Sequence, residues 1–502
     1  MNKLFILPYL LLSLLISGDV CLTTPSPSAP PSADEMYVSV NEAIRILEND
    51  KSMNGAQWSF CAFNLTKKTW LADKNTGTRL VPASVLKVFT TISAFDIIGH
   101  QNTFQTQLLY RGKIDAEGIL HGDLVIKGFG DPTIACDYFG KPASALTVFT
   151  KFKDAVQHSG ITSVDGRIVG DASVWGPMLQ APGYMWEDLG NYYGAGASSL
   201  NYNENKLKVT FKPGRVVGDT AGVIFVTPHP FQPQWVNTVT TAGASTGDNV
   251  FIYGTPFQKI RYLTGTVPAG KAEFSVWASD PDPAMRFAGD FGDFLKINEI
   301  SISQNPFSYY QSGWQGKDSL KLLCTHNSPD IKKISKWVNH VSHNVTAESL
   351  FKLIGIALKK TTVWSETVEA LLKYWQSKGI TTSNTIITDG SGLSRTNMIT
   401  TKFLVDLLTY AHNQVWFSDF YDILPVAGKD GTLRSNFLGT SVAGNMHGKS
   451  GLLKGVRSYT GYVTNKSGEL IAFAVIANGH MLSNNAIREK LENLVVAVSE
   501  TE

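Results

Sequence analysis

Three short motifs, spread widely along this chain of 502 residues, constrain its fold more than any other feature. They are Ser84-Val-Leu-Lys87, Ser342-His-Asn344 and Lys449-Ser-Gly451, in that order. Ser342 lies 258 residues after Ser84, which is room for more than one additional domain. If the motifs form one site, the fold must close around a long insertion between the first and the second.

The first motif has the spacing of a nucleophile and its base. A hydroxyl is a weak nucleophile at neutral pH and needs a base within hydrogen-bond reach. Residues i and i+3 share one helix face, and the apolar neighbours Val85 and Leu86 predict burial. Burial disfavours an ammonium ion and lowers the pKa of Lys87, which makes it a candidate base for Ser84. The alternative is a helix-start serine followed by a surface lysine, and Ser349-Leu-Phe-Lys352 repeats the pattern.

The second motif gains meaning from its position. Ser342 and Asn344 directly precede a predicted helix, Thr346–Leu358, so that a hydroxyl and an amide would project together from a loop. The alternative is that Asn344 only caps that helix. The same Ser-x-Asn pattern occurs at Ser52/Asn54, Ser199/Asn201, Ser303/Asn305 and Ser483/Asn485.

The third motif occurs twice. Lys466-Ser-Gly468 lies between two apolar β runs and reads as a hairpin turn with a solvated lysine. Lys449-Ser-Gly451 leads into Leu452 and opens the run towards the terminal strands. A lysine and a hydroxyl on a strand edge can bind a substrate carboxylate, and a glycine allows close approach to the backbone. We therefore favour Lys449 and Ser450 as the functional pair.

Composition excludes several classes of function. Lys and Arg number 44 and Asp and Glu 42, so that the net charge of +2 predicts no nucleic-acid partner. Four cysteines are too few for a disulfide framework and match no zinc spacing, and the ten histidines form no HExxH motif. We expect neither a metal ion nor a cofactor.

The N-terminus is typical of an exported protein. A basic start and an apolar run predict a signal peptide over residues 1–20, followed by a Pro/Ser-rich tether over 21–35. An uncleaved anchor is the alternative. Lipid attachment at Cys21 is less favoured, because Asp19 and Val20 fit such a site poorly.

Hydrophobic patterning divides the rest into three parts, 36–103, 104–306 and 307–502. The middle part alternates as short strands, with one helix at Ala145–His158 and later strands at Phe274–Trp277 and Lys296–Ser303. The outer parts combine helices with a few strands. Predicted helices there are Val38–Leu47, Ala83–Ile98, Ile331–Asn339, Thr346–Leu358, Trp364–Lys378 and Lys402–His412; predicted strands are Trp58–Asn64, Trp70–Asp73 and two within Gly455–Asn478.

With these motifs in order, the chain resembles the D-alanyl-D-alanine carboxypeptidases of peptidase family S13, the class C low-molecular-mass penicillin-binding proteins. Supporting strings are Pro82-Ala-Ser-Val-Leu-Lys87, Gly122-Asp-Leu124, Gly130-Asp-Pro132, Ser199-Leu-Asn-Tyr-Asn-Glu-Asn205, Ala347-Glu348, Asp389-Gly-Ser-Gly-Leu-Ser-Arg395, Leu424-Pro-Val-Ala-Gly428 and Asp430-Gly-Thr432. The resemblance implies a multi-domain α/β protein. A split β-lactamase/transpeptidase-like domain, an antiparallel sheet flanked by helices, would carry a large mainly β insertion.

The resemblance also implies a catalytic role for five side chains. Ser84 would form an acyl-enzyme with the penultimate D-Ala carbonyl of a peptidoglycan stem, and Lys87 would be the base for acylation, although base identity is disputed in related enzymes. Ser342 would relay the proton to the leaving D-Ala amine, and Asn344 would hold Lys87 and the substrate amide. Lys449 would bind the terminal carboxylate.

The remaining residues of the third motif would bind substrate. Ser450 would assist at the terminal carboxylate, and Gly451 would allow close approach. The backbone N–H groups of Ser84 and Leu452 would form the oxyanion hole. Many family members have Lys-Thr-Gly-Thr here, so Leu452 removes one hydroxyl near the carboxylate. His343, between the two functional positions, is expected to face away.

The expected function is that of a periplasmic serine D,D-carboxypeptidase that also cleaves D,D cross-links as an endopeptidase. Its expected partners are peptidoglycan stem peptides, with β-lactam antibiotics as covalent inhibitors. One alternative is a β-lactamase or esterase of the same fold. Another is an inactive cell-wall-binding scaffold, although none of the Ser, Lys and Asn positions is lost.

Overall fold

The computed structural model describes residues 39–227, 234–311 and 320–502. The predicted signal peptide (1–20) and tether (21–35), with Cys21, lie outside these described residues. Among the residues described, no helix is long and apolar enough to cross a membrane.

The N-terminal part forms a helix, a hairpin and a second helix. These elements are α1 (Val40–Glu48), β1 (Gln57–Asn64), β2 (Thr69–Lys74) and α2 (Leu86–Ser93). The predicted helix Ala83–Ile98 is one continuous helical segment with three geometries: a 3₁₀ turn at Ala83–Val85, then α2, then a π-helical stretch at Ala94–Gly99. All eight residues of α2 are buried. The predicted hairpin is confirmed, and its strands begin and end within one residue of expectation.

The insertion contains two groups of sheets. The first is a seven-stranded sheet packed with two long helices, and the second combines a three-stranded and a four-stranded sheet. Its elements in chain order are β3 (Gln105–Ile114), β4 (Ile119–Gly128), α3 (Ala145–His158), β5 (Ser163–Asp165), β6 (Ile168–Asp171), α4 (Trp186–Leu189), β7 (Lys206–Lys212), β8 (Gly222–Thr227), β9 (Gln234–Asn237), β10 (Thr240–Ala242), β11 (Asn249–Tyr253), β12 (Ile260–Pro268), β13 (Phe274–Ser279), α5 (Pro283–Ile297), β14 (Ser301–Ile302), β15 (Phe307–Ser308) and β16 (Lys321–Asn327).

Helix α5 corrects the sequence interpretation of the insertion. The predicted strand Lys296–Ser303 is wrong in its first half, because α5 runs to Ile297 and only Ser301–Ile302 pairs as a strand. Asp282 caps α5 by accepting the N–H of Met285, and a proline follows at the first helical position, as helix starts favour. Two glycines interrupt the apolar periodicity of this helix, so the sequence pattern did not predict it.

The insertion also extends further along the chain than the predicted boundary at 306. Strand β16 pairs antiparallel with β3, with Asn327 opposite Gln105. The short strand β15 pairs with β6 in the same sheet. The seven-stranded sheet therefore continues to residue 327.

The C-terminal part completes the sheet to which β1 and β2 belong. Its elements are α6 (Ile331–Val341), α7 (Asn344–Lys359), α8 (Trp364–Ser377), α9 (Thr401–His412), α10 (Phe417–Asp422), β17 (His447–Leu453), β18 (Val456–Thr464), β19 (Leu470–Asn478) and α11 (Asn484–Ser499). The four helices predicted after residue 330 are confirmed within two residues at each end. Sequence patterning missed α10, β17 and α11.

The two halves of the split domain share one antiparallel sheet in the order β17-β18-β19-β1-β2. Successive strand residues contribute to opposite faces: Cys61 packs with α2 and α6–α9, whereas Phe60 packs with α1 and α11. Burial on both faces explains why β19 is apolar from Leu470 to Ala477 without a polar interruption. The predicted fold class, an antiparallel sheet flanked by helices with a large mainly β insertion, is confirmed.

Candidate active site

Ser84 lies in the 3₁₀ turn that leads into α2, and its backbone setting is tight. Ala83, just before it, has φ +52°, in the left-handed region that residues with a Cβ rarely adopt. A Cβ at Gly392 would lie 2.0 Å from the Ala83 carbonyl oxygen, and one at Gly451 would lie 2.8 Å from the Pro82 carbonyl oxygen. The turn is therefore held between two glycines, and the observed role of Gly451 is to let β17 pack directly against it.

Lys87 has the environment of a base. Its side chain is fully buried, and Nζ lies 3.1 Å from Ser84 Oγ, 2.7 Å from Asn344 Oδ1 and 2.6 Å from the Ser391 carbonyl oxygen. Burial lowers its pKa from 10.5 to about 7, against the opposing effects of the Asp389 and Glu348 carboxylates. A neutral amine can donate to the amide and the carbonyl and still direct its lone pair at the serine O–H. The geometry fits proton abstraction from Ser84.

Asn344 is the first residue of α7, and it does not cap that helix. The cap is His343, whose Nδ1 accepts the N–H of Thr346. Asn344 instead connects Lys87 to the insertion, because its Nδ2 donates to the Tyr193 carbonyl oxygen at 2.7 Å. His343 points towards the insertion as well, with Nε2 3.4 Å from Glu204 Oε2. The expectation that His343 faces away from the site is in agreement with this contact.

Ser342 adopts a left-handed conformation with φ +60° at the end of α6. This conformation reverses the chain between α6 and α7. Ser342 lies in the wall of a cavity of about 370 Å³. The same cavity is lined by Ser84, Asn344 and Leu452, so that all three motif regions contribute to it.

Lys449 and Ser450 are buried on β17, next to this cavity wall. Lys449 Nζ donates to the Ser450 carbonyl oxygen at 2.7 Å. Burial, with additional repulsion from Lys87 and Arg457, lowers the pKa of Lys449 well below its usual value. The other copy of the motif differs, since Lys466 lies in the β18–β19 turn with Nζ 2.7 Å from Glu500 Oε2.

The loop Asp389–Arg395 is a part of the site that sequence reasoning treated as context. Glu348 accepts the backbone N–H of Ser391 at 2.7 Å and that of Gly390 at 3.0 Å. The carbonyl of Ser391 in turn accepts from Lys87. A signal was available, because Asn344, Glu348 and Lys352 follow each other at intervals of four residues on a mostly apolar helix.

Charged groups surround the mouth of the cavity. The insertion contributes Glu187, Asp188, Tyr193 and Phe251 to its lining, and the loop after Gly392 contributes Arg395. Both signs of charge are therefore available near Ser84. The insertion therefore forms one wall of the candidate site, beside residues from both halves of the split domain.

The described residues contain no disulfide bond and no arrangement of side chains typical of a metal site. Within residues 39–227, 234–311 and 320–502, no group of three or more His, Cys, Asp or Glu side chains is arranged to hold a metal ion. Cys61, Cys136 and Cys324 are free thiols.

Within a transpeptidase-like fold, Ser84 Oγ lies 3.1 Å from Nζ of the buried Lys87, an arrangement that suits a serine nucleophile and its base. The chain belongs to the D-Ala-D-Ala carboxypeptidase 3 (S13) family, whose sequence model matches residues 40–501. It is a serine-type D-Ala-D-Ala carboxypeptidase, and the predicted family and enzyme class are confirmed.

Two relatives align over most of their length. A D-alanyl-D-alanine carboxypeptidase from Actinomadura sp. (strain R39) is 25% identical over 467 residues, 91% of this chain and 84% of that protein. The carboxypeptidase DacB from Haemophilus influenzae is 28% identical over 461 residues, 89% of this chain and 90% of that protein. The crystal structure of penicillin-binding protein 4 from H. influenzae superposes with a TM-score of 0.77 at 23% identity, covering 92% of this chain and 99% of that one, and shows the shared fold.

Proposed function

We propose that this carboxypeptidase acts through an acyl-enzyme on Ser84, with Lys87 as the base. The observation that carries the proposal is the fully buried Lys87 Nζ, 3.1 Å from Ser84 Oγ, with a pKa of about 7. Ser84 Oγ attacks the carbonyl carbon of the penultimate D-Ala while its proton moves to Lys87 Nζ. A base with a pKa near the working pH is both available as the neutral amine and strong enough to accept this proton.

The tetrahedral intermediate then collapses. Its oxyanion accepts from the backbone N–H groups of Ser84 and Leu452, donors that need no reorganisation during the reaction. The common cavity wall of Ser84 and Leu452, and the position of β17 at the sheet edge, support this pairing. The C–N bond breaks, and the proton reaches the leaving D-Ala amine through the hydroxyl of Ser342. Water hydrolyses the ester and restores Ser84.

The residues of the third motif and Asn344 orient the substrate. Lys449 and Ser450 bind the terminal carboxylate of D-Ala, where the ammonium group supplies the opposite charge. A carboxylate beside Lys449 also offsets the burial that holds its pKa low. Leu452 replaces a hydroxyl found in many relatives, so recognition at this point depends on its backbone rather than on its side chain.

The proposed substrates are the D-Ala-D-Ala ends of peptidoglycan stems and the D,D cross-links between them. The cavity of about 370 Å³ has both signs of charge on its wall, at Glu187, Asp188 and Arg395, which suits the charged end of a peptide. A β-lactam would acylate Ser84 in the same way, which is supported by the H. influenzae relative that was crystallised with a β-lactam. The predicted signal peptide would export the enzyme to the periplasm, where these polymers are found.

The test is release of D-Ala from a soluble pentapeptide, compared with cleavage of purified cross-linked dimers. Wild-type protein should release D-Ala, and Ser84→Ala should not. Cleavage of the dimers in the same series would establish the endopeptidase activity. Rapid hydrolysis of penicillin without D-Ala release would instead favour a β-lactamase, and no turnover of any substrate would favour a scaffold.

A further inference from the structure

A four-stranded sheet in the insertion has an unusual outer face. Register places Tyr253 of β11 opposite Tyr262 of β12, and Tyr262 opposite Val236 of β9. Phe251 lies two residues before Tyr253 and hence on the same side. Of these four side chains, Phe251 is 45% exposed, Tyr262 42% and Val236 38%. We call Phe251, Tyr253, Tyr262 and Val236 the aromatic face.

This exposure is not explained by the packing of the insertion. The opposite side of the same strands supplies the core, where Ile252 and Leu263 are buried. The sheet is mixed, with β11–β12 antiparallel and β12 parallel to β9 and β10, and a sheet with one face in the core normally has a polar outer face. Contiguous exposed apolar side chains of this kind mark an interaction site more often than a neutral surface.

The aromatic face continues into the catalytic cavity. Phe251 belongs both to the face and to the cavity wall. Trp186 adjoins the face at Tyr253, since the two ring centroids lie 6.0 Å apart. The two residues that follow Trp186, Glu187 and Asp188, line the cavity. A polymer whose end occupies the cavity would therefore pass over these rings.

We propose that the aromatic face binds the glycan strand of the peptidoglycan whose stem peptide enters the cavity. The inference rests on the proposed function, because it extends the same substrate beyond its peptide. Pyranose rings present C–H faces that stack on aromatic rings, and tyrosine adds a hydroxyl that can bond to sugar hydroxyls. The continuity at Phe251 favours this occupant over a second copy of the chain, which would cover the cavity wall.

The test compares two substrates that carry the same pentapeptide. One is the free pentapeptide, and the other is an uncross-linked glycan strand that bears it. The variant Tyr262→Ser removes a ring that lies outside the cavity lining. Phe225→Ser is the matched control, because Phe225 is a 57% exposed aromatic residue on the other sheet of the same unit, in β8.

Tyr262→Ser should lower kcat/KM for the glycan-borne peptide about tenfold, the equivalent of about 1.4 kcal/mol, and leave the free pentapeptide within twofold. Phe225→Ser should change neither. Calorimetry on the full chain measures the binding of peptide-free glycan strands. Tyr262→Ser should weaken this binding, and Phe225→Ser should not. An equal loss on both substrates, or no loss on the polymer, would overturn the proposal.

Self-association is a further outcome. If sedimentation shows a wild-type dimer that Tyr262→Ser dissociates while glycan binding is unchanged, the aromatic face is a subunit interface and the proposal is wrong. Failure of the proposed function would look different, because wild-type protein would then release no D-Ala from the free pentapeptide. The calorimetric measurement remains decisive for the aromatic face in that case as well.

Discussion

Lys87 and Glu348 contact opposite sides of one backbone residue. Nζ of Lys87 donates to the carbonyl oxygen of Ser391 at 2.6 Å, and Oε1 of Glu348 accepts the N–H of the same residue at 2.7 Å. Burial lowers the pKa of Lys87 to about 7, and burial together with Asp389 raises that of Glu348 to about 7. The carboxylates of Asp389 and Glu348 oppose the effect of burial on the pKa of Lys87, so Glu348 contributes to the pH at which the base is free.

The pH dependence of turnover follows from the base. Lys87 accepts a proton only as the neutral amine, which is the minority form below its pKa of about 7. We therefore expect kcat/KM for the free pentapeptide to be half-maximal near pH 7 and to fall about tenfold per pH unit below it. A pH–rate profile measures this. A profile that stays flat from pH 7 down to pH 5 would exclude Lys87 as the base.

Replacing the Glu348 carboxylate should shift the acid limb of the pH–rate profile. Glu348→Gln keeps an acceptor for the loop N–H groups and removes a charge that raises the pKa of Lys87. We expect the acid limb to shift to lower pH, accompanied by a reduced kcat because the loop is held less firmly. Glu366→Gln, on the exposed start of α8, is the control. A reduced kcat without any shift of the limb would show that Glu348 has only a structural role.

The choice between the two Lys-Ser-Gly copies can be tested directly. Lys449→Ala removes the proposed carboxylate contact, and we expect kcat/KM to fall about 100-fold or more, as when one preorganised electrostatic contact is lost. Lys466→Ala removes the lysine of the β18–β19 turn and should leave turnover within twofold. Comparable losses in the two variants would contradict the assignment of Lys449.

A third buried lysine, Lys352, should affect stability rather than turnover. Lys352 donates to the Met178 carbonyl oxygen at 2.6 Å, and burial lowers its pKa from 10.5 to about 7. Between these two pH values the unfolded chain binds a proton that the native state does not, so the free energy of unfolding rises with pH from about 7 to 10. Lys352→Met should make this rise less steep in urea titrations, because Lys87 and Lys449 still contribute to it. Lys373→Met, an exposed lysine, should not, and an equal slope in both variants would contradict the account.

Much of this architecture could be predicted from local patterns. Ser84 and Lys87 share a helix turn, and their apolar neighbours predict the burial that the structure has. Helix α5 was missed because its glycines dilute the periodic signal, and β16 because its partner β3 is distant in sequence. The contact of Lys87 with Ser391 joins residues 304 positions apart, and only the folded chain reveals it.

The central claim, nucleophilic attack by Ser84, is tested most directly by intact-protein mass spectrometry after exposure to benzylpenicillin. Wild-type protein should gain the mass of one penicillin, mapped by peptide digestion to Ser84. Ser84→Ala should gain none, whereas Ser349→Ala, which alters the second Ser-x-x-Lys sequence, should be labelled as wild type. Labelling of Ser84→Ala at the wild-type level, or an adduct mapped to another serine, would contradict the account.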